Sequence, residues 1–585
     1  MKPKIIFTLC LVILTFKSTP ANPPFIEQTC WCTWEHLILQ RMSIEEKLGQ
    51  LFMITSVADP QSCSQTFLDS SPYIIDQPSV EQIIKQYHVG GIIFLGIITP
   101  KKQIKLEESF QSISKIPLLI GQDLERGCMR LKNGLRFPRA MTLGALTEDD
   151  KQLIYELGKE IGGECHALGI HINFAPVADV NNNPRNVIIN DRSFGENKKD
   201  VARKSILFMR GLQDAGILAC AKHWPGHGDT DVDSHVTLPR INHTKERLKD
   251  IELYPFKKLI DAGVSAVMCA HLEIPAFEPQ IGLPASLSKT IVTDLLRNQF
   301  QFNGLIVTDA LGMQGVTKNF KSGELELHAL LAGNDLLIAP VDLPSAVAHI
   351  KQALANGILT EAELDTHVLK ILKVKKWVLH NQRTQKPYVS SVHAQELQEK
   401  IYRAAITLVK NEEHILPLSP SDEIIPIITI GDSSDNVFYQ TLSNYLLVSL
   451  HEMPPHPTTN DLETMLEKLR PAQKIIICVY GSNKIITIEE QSLHAGAQDT
   501  TSVTYLINAL QKQNKKIIVV AFESPYNLAL YQNAHALIAA YENVESAQRI
   551  AALTIIGTHT PRGRLPVTAC AALPAGLGLL NFCES

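Results

Sequence analysis

The chain has 585 residues, with 55 basic and 60 acidic side chains, a formal net charge of −5, 45% hydrophobic residues and 20% charged ones. This composition excludes a disordered chain, a collagen-like repeat and a coiled coil. It also gives no global charge reason to expect nucleic acid or an anionic membrane as partner, and the length fits two or three large domains.

The first residues carry two lysines, then a mostly apolar run from Ile5 to Phe16, then small and turn-forming residues ending in Thr19-Pro20-Ala21. That layout predicts a cleaved secretory signal over residues 1–21. The run is shorter than the ~20 apolar residues that span a bilayer, and no later stretch reads as a stable membrane span. The expectation is an exported soluble protein, with a retained N-terminal anchor as the alternative. Export permits disulfides, and Cys30 and Cys32 are the candidates. Cys220, Cys269 and Cys478 lie in apolar runs and read as buried thiols.

From about residue 40, short apolar runs alternate with amphipathic segments. The runs are 48–55, 89–96, 117–125, 172–180, 217–226, 266–274, 304–313 and 335–340. Each is near-continuously apolar, as in parallel strands covered on both faces. Helical patterns lie between them at 79–88, 148–169 and 200–216. Eight such units predict an α/β chain with a (β/α)8 TIM-like barrel over 33–385; a doubly wound open sheet is the alternative. A polar stretch at 386–400 reads as a linker. A second alternating region, with apolar runs at 423–434, 474–483, 515–525 and 535–543, predicts a smaller three-layer α/β sandwich over 401–585.

Polar residues gather at the C-terminal ends of the barrel runs: Asp123, Glu125, Asp179, Lys222, His223, His271 and Asp309. Those ends form the face on which barrel enzymes assemble their catalytic groups.

The richest stretch is residues 221–235, where three histidines and three aspartates fall between His223 and His235. His223 and His227 have the i, i+4 spacing of helical zinc ligands. Pro225, Gly226 and Gly228 argue against a helix there, so a loop leaving a strand is expected and a metal site is not. Asp233 and His235 lie two apart, and an extended segment points both the same way. A carboxylate beside imidazole orients the ring and stabilises its protonated form, which suits a group that gives and takes a proton. Asp309 follows four apolar residues and reads as nucleophile or base, or as a helix N-cap.

The loop KHWPGHGDTDVDSH resembles the signature of glycoside hydrolase family 3, in its β-N-acetylglucosaminidase branch, with Trp224 where Phe is usual. APVADVNNNPRN followed by DRSFG (175–195), GLIVTDALGM, AGNDLLIAP, AAITLVKNEEHILPL and PRGRLPV match that family in order, covering about residues 40 to 570. The resemblance implies a retaining glycosidase. Asp309 would be the nucleophile, and His235 supported by Asp233 the acid/base. Asp123, Arg130, Arg192, Lys222 and His223 would bind sugar. It implies no metal or organic cofactor, and a carbohydrate partner such as a GlcNAc-terminated glycan or muropeptide. A family 3 β-glucosidase, a β-GlcNAc phosphorylase and an inactive carbohydrate-binding protein are the alternatives. The branch commonly reads D-x-E-G-G-R-V-x-R where this chain has Asp123-Leu124-Glu125-Arg126-Gly127-Cys128-Met129-Arg130. The segment is one residue shorter, and Arg126 replaces a glycine.

Overall fold

The computed structural model describes residues 33–57, 77–129, 131–132, 134–232, 234, 237–318, 320–321, 323–381, 392–431, 436–454, 457–481 and 499–583. The expected leader, Cys30, Cys32, Arg130, Asp233 and His235 lie outside these residues.

Eight parallel strands form the first sheet: β1 (Phe52–Val57), β2 (Gly91–Leu95), β3 (Leu119–Gln122), β4 (Ile172–Asn173), β5 (Leu218–Trp224), β6 (Ala266–Cys269), β7 (Leu305–Thr308) and β8 (Leu337–Ile338). They pair in chain order, with β8 against β1. A parallel bridge between Val307 and Leu336 joins β7 to β8 and closes the barrel. Each strand is buried on both faces because helices cover the outside. The expected open-sheet alternative is thereby excluded.

Local rules set the boundaries. The run 48–55 is half helix. Ser43 accepts from the Glu46 N–H and Glu46 reciprocates on the Ser43 N–H, a capping box that starts a helix over Ile44–Gln50. The strand begins only at Phe52. The helices expected at 79–88, 148–169 and 200–216 run over Gln77–Tyr87, Gln152–Ala167 and Lys198–Asp214.

The second domain holds a six-stranded sheet ordered β11-β10-β12-β13-β14-β9. β9 (Thr407–Asn411) is an antiparallel edge; β10 (Ile425–Gly431), β11 (Val448–Met453), β12 (Lys474–Tyr480), β13 (Lys516–Phe522) and β14 (Ala536–Ala539) are parallel. Helices Val437–Ser443 and Glu545–Ile555 pack one face, with Phe438, Leu442 and Ile550 in that core. Helices Thr459–Lys468 and Asp499–Lys512 pack the other, so the domain has three layers. The segment read as a linker, 386–400, is helical from Val392, within a helix reaching Ala405 that buries Leu397 and Ile401. From Val392 on, the polar composition is that of one exposed helix face, not of a loop.

Cys220, Cys269 and Cys478 are buried free thiols, and burial pushes all three above the usual thiol range. No helix among the described residues is long and apolar enough to cross a membrane.

Candidate active site

A cluster of charged side chains comes from three strands that end at one rim. Asp123 and Glu125 follow directly on β3, and β5 carries Lys222 and His223 near its C-terminal end. Asp179 follows β4, and Arg192 closes a 3-10 turn over Asn190–Arg192. Parallel strands with a common direction bring these residues, up to about a hundred positions apart in sequence, to the same end of the barrel.

Lys222 is buried, and its Nζ lies 2.8 Å from Asp123 Oδ1 and 2.7 Å from Glu125 Oε1. Arg192 forms a two-pronged contact with Glu125, Nε to Oε2 at 3.0 Å and Nη2 to Oε1 at 2.7 Å. Glu125 therefore joins both cations. Burial alone would raise its carboxyl; Arg192 and Lys222 overrule that and hold it well below the usual carboxylate range. Burial would likewise lower Lys222, but Asp123 and Glu125 keep its ammonium above the ordinary value. Glu125, Lys222 and Arg192 stay charged at neutral pH, and their ion pairs with one another and with Asp123 fix the positions of all four side chains.

His223 is oriented from behind. Its Nδ1 lies 2.8 Å from Asp179 Oδ2, which leaves Nε2 facing Arg192 at 3.4 Å. Asp179 is fully buried and also accepts the backbone N–H groups of His223 and His227, the latter at 2.7 Å. Burial pushes Asp179 up, and the His223 contact outweighs it and keeps the carboxyl below its ordinary value. The peptides Lys222–His223 and Trp224–Pro225 are both cis.

The segment after β5 is a loop, as its Pro and Gly residues predicted. The paired histidines do not converge as ligands. His223 turns to Asp179, whereas His227 Nδ1 lies 2.9 Å from Thr230 Oγ1 and its Nε2 lies 3.1 Å from Ser234 Oγ. Burial lowers His227 to about 4, so its ring is neutral at physiological pH. Among the described residues no group of three metal-ligating side chains converges. Ser234 sits between the two dyad residues of the sequence reading. Its Oγ contact joins Ser234 to the buried His227. Gly228 packs so tightly on the Val180 carbonyl that a Cβ would collide with it. Asn186 adds a second anchor: its amide donates to the carbonyls of His227 and Gly228 at 2.8 and 2.9 Å.

Asp309 stands directly after β7, half-buried. Its Oδ1 accepts the Ala310 N–H at 2.8 Å, and its own N–H donates to Cys269 at 2.9 Å. The next helix starts only at Gln314, with Met313 at its N-cap, so the capping alternative for Asp309 does not hold. His271 Nε2 contacts the Ala310 carbonyl at 3.0 Å and its Nδ1 meets Ser286 Oγ at 2.7 Å, which steadies the turn behind the carboxylate.

The structure thus brings together Asp123, Arg192, Lys222 and His223 in one ion-paired cluster. Two residues without a role in the sequence reading hold that cluster. Glu125 and Asp179 were visible as polar residues at strand ends, but their function as bridge and orienter is a property of contacts across the barrel.

A (β/α)8 barrel whose strand ends converge on such a cluster, with a carboxylate after β7, defines a barrel enzyme with a carbohydrate-type polar site. Two family models match the chain: the glycosyl hydrolase family 3 N-terminal domain over residues 43–374 and the family 3 C-terminal domain over residues 406–575. The chain belongs to glycosyl hydrolase family 3. Within that family it falls in the β-N-acetylglucosaminidase branch. It is 28% identical to Beta-hexosaminidase A of Pseudoalteromonas piscicida over 546 residues, 84% of this chain and 91% of that one. It is 31% identical to Beta-hexosaminidase LpqI of Mycobacterium tuberculosis over 377 residues, 62% of this chain and 90% of that one. Among solved structures, a family 3 β-N-acetylglucosaminidase from Paenibacillus sp. str. FPU-7 superposes with a TM-score of 0.73 at 31% identity, covering 90% of this chain and 98% of that one. The β-glucoside phosphorylase BglX superposes with a TM-score of 0.78 at 25% identity, covering 96% of this chain and all of that one.

Proposed function

We propose that the protein is an exported, retaining β-N-acetylhexosaminidase that removes terminal non-reducing β-linked N-acetylglucosamine, with peptidoglycan-derived muropeptides as substrate. The observation that carries this reading is the cluster Asp123–Lys222–Glu125–Arg192–His223 facing the Asp309 rim. It offers paired acceptors and donors at fixed positions, which suits the alternating hydroxyls and acetamide of one pyranose ring. Asp123 and Lys222 hold ring hydroxyls. His223 Nε2 and Arg192 hold a neighbouring hydroxyl or the acetamide side, and Arg130 follows on the same segment.

In the first step an Asp309 oxygen attacks the anomeric carbon, and the bond to the aglycone oxygen breaks. His235, oriented by Asp233, gives its proton to that oxygen. In the second step the neutral His235 takes a proton from water, the resulting hydroxide displaces Asp309, and the free sugar leaves with net retention. The common glycosidase arrangement uses two carboxylates; a histidine in one role leaves less negative charge near the acceptor.

That charge difference favours phosphorolysis as the second reading, and the likeness to a β-glucoside phosphorylase supports weighing it. Purified protein lacking residues 1–21 is assayed on nitrophenyl β-GlcNAc and nitrophenyl β-glucoside, with and without phosphate. Preference for the GlcNAc substrate and release of free GlcNAc is the expected result. Preference for the glucoside overturns the substrate, and release of GlcNAc-1-phosphate overturns hydrolysis. Detection of mature protein outside the cytoplasm, cut near residue 21, checks export.

A further inference from the structure

The position where this chain departs from its branch, Arg126, faces the second domain. Arg126 Nη2 lies 3.3 Å from Glu542 Oε2, and Glu542 sits three residues beyond β14. Glu542 is buried, 1% exposed. Its Oε1 accepts the Arg139 N–H and the Thr142 hydroxyl, both at 2.7 Å. Arg139 Nη1 in turn lies 2.7 Å from Asp191 Oδ2.

These contacts close a ring around the sugar cluster. Arg126 is the chain neighbour of Glu125, and Asp191 is the chain neighbour of Arg192. Glu125 and Arg192 are the pair joined by two hydrogen bonds. Starting at Glu542, the path runs through Arg126 to Glu125, across to Arg192, back through Asp191 to Arg139, and returns to Glu542. Glu125, Arg126, Arg139 and Arg192 also wall a single cavity of about 30 Å³. One carboxylate from the second domain thus holds both backbone segments that present the Glu125–Arg192 pair.

We propose that Glu542 is a positioning residue for sugar binding, acting through Arg126 and the Arg139–Asp191 pair on Glu125 and Arg192. The second domain then sets the shape of the sugar subsite without touching the substrate. Among the described residues Glu542 reaches both segments at once, one of them through Arg139, whereas the Tyr526 hydroxyl reaches only the Asn190–Arg192 side, donating to the Asn181 carbonyl at 3.2 Å. Glu196, which accepts the Thr568 N–H at 2.8 Å and the Thr568 hydroxyl at 2.7 Å, binds the same two domains but contacts none of Arg126, Arg139 and Asp191.

The inference rests on the GlcNAc reading, and the test separates the two. Kinetics on nitrophenyl β-GlcNAc and ligand-observed NMR binding of free GlcNAc are measured for the full two-domain protein. Glu542→Gln keeps the shape and one acceptor oxygen but removes the negative charge that faces Arg126. It is expected to raise both KM and the GlcNAc Kd about five- to tenfold with kcat changed less than twofold, the pattern of lost uniform binding. Glu196→Gln is expected to lower Tm comparably and leave Kd within about twofold. In an Arg192→Ala background the Glu542→Gln effect on Kd is expected to vanish, because nothing remains to be positioned. Arg126→Met tests the same path if Glu542→Gln does not fold. Unchanged KM and Kd in Glu542→Gln, or full additivity with Arg192→Ala, overturns the inference while the parent's activity stands. A parent that neither hydrolyses nitrophenyl β-GlcNAc nor binds GlcNAc overturns the reading beneath it.

Discussion

Asp179 and His223 meet at 2.8 Å, carboxylate Oδ2 to imidazole Nδ1, with the carboxylate fully buried behind the ring. The same carboxylate holds the His227 N–H, so a single side chain orients the His223 ring and anchors the His227 backbone. Asp179→Asn replaces one acceptor oxygen by an NH2 group and removes the charge. The variant is expected to lose about 2–4 kcal/mol of stability and roughly ten- to a hundredfold in kcat/KM. Denaturant unfolding and steady-state assay measure the two. Loss of stability with unchanged kcat/KM would show that His223 needs no orientation for binding.

Asp309→Ala removes the group proposed to attack the anomeric carbon. Turnover of nitrophenyl β-GlcNAc is expected to fall by about 10³ or more, with far-UV dichroism and Tm close to the parent, because the carboxylate is half-buried and caps no helix. Added azide is expected to restore part of the rate by entering the space vacated. Parent-like turnover would remove Asp309 as nucleophile.

For His235→Ala the informative quantity is dependence on the leaving group. A nitrophenolate departs without protonation, whereas a sugar oxygen needs a proton. The loss is expected to reach about 10²–10⁴ on a disaccharide or muropeptide and to be much smaller on nitrophenyl GlcNAc. Equal losses on both would count against an acid role.

Glu164 gives a pH signature of stability. It lies under the segment that carries Arg126, and burial raises its carboxyl from 4.5 to about 7, with Cys128 offsetting part of the rise. The folded protein therefore holds this proton more tightly than the unfolded chain. The contribution is complete below about pH 4.5 and is lost as pH rises through about 7. Glu164→Gln keeps a neutral side chain at every pH. Relative to the parent, it is expected to gain stability between pH 5 and 8, approaching about 3 kcal/mol at the upper end. Tm profiles of both proteins from pH 4 to 8 check this, and parallel profiles would contradict it.

Much of the architecture is readable along the chain. Eight near-continuous apolar runs separated by helical patterns specify strands buried on both faces, and each of those runs contains a barrel strand. The errors have local causes. In 48–55 the capping box of Ser43 and Glu46 takes the first residues into a helix. From Val392 to residue 400 an amphipathic helix with a strongly polar outer face has the composition of a linker. β9 and β11 went unread as strands because each lies at a sheet edge, where the pattern is not continuously apolar.

The site divides in the same way. Lys222, His223, Asp309 and Asp123 are marked by position as polar residues closing apolar strands, and the family resemblance is what turns that position into an expected role. The loop at 221–235 is marked by its density of acid and base groups and by prolines and glycines that forbid a helix. The sequence by itself therefore determined which residue types stand at the rim and that the segment after β5 is a loop. Only the tertiary structure decided how they are held. Glu125 joins Lys222 and Arg192, Asp179 turns His223, and Glu542 reaches Arg126 across some four hundred residues of chain. Periodicity reports the burial of each segment against water, a local quantity. Which carboxylate meets which cation depends on barrel closure and domain docking, and no single segment encodes either.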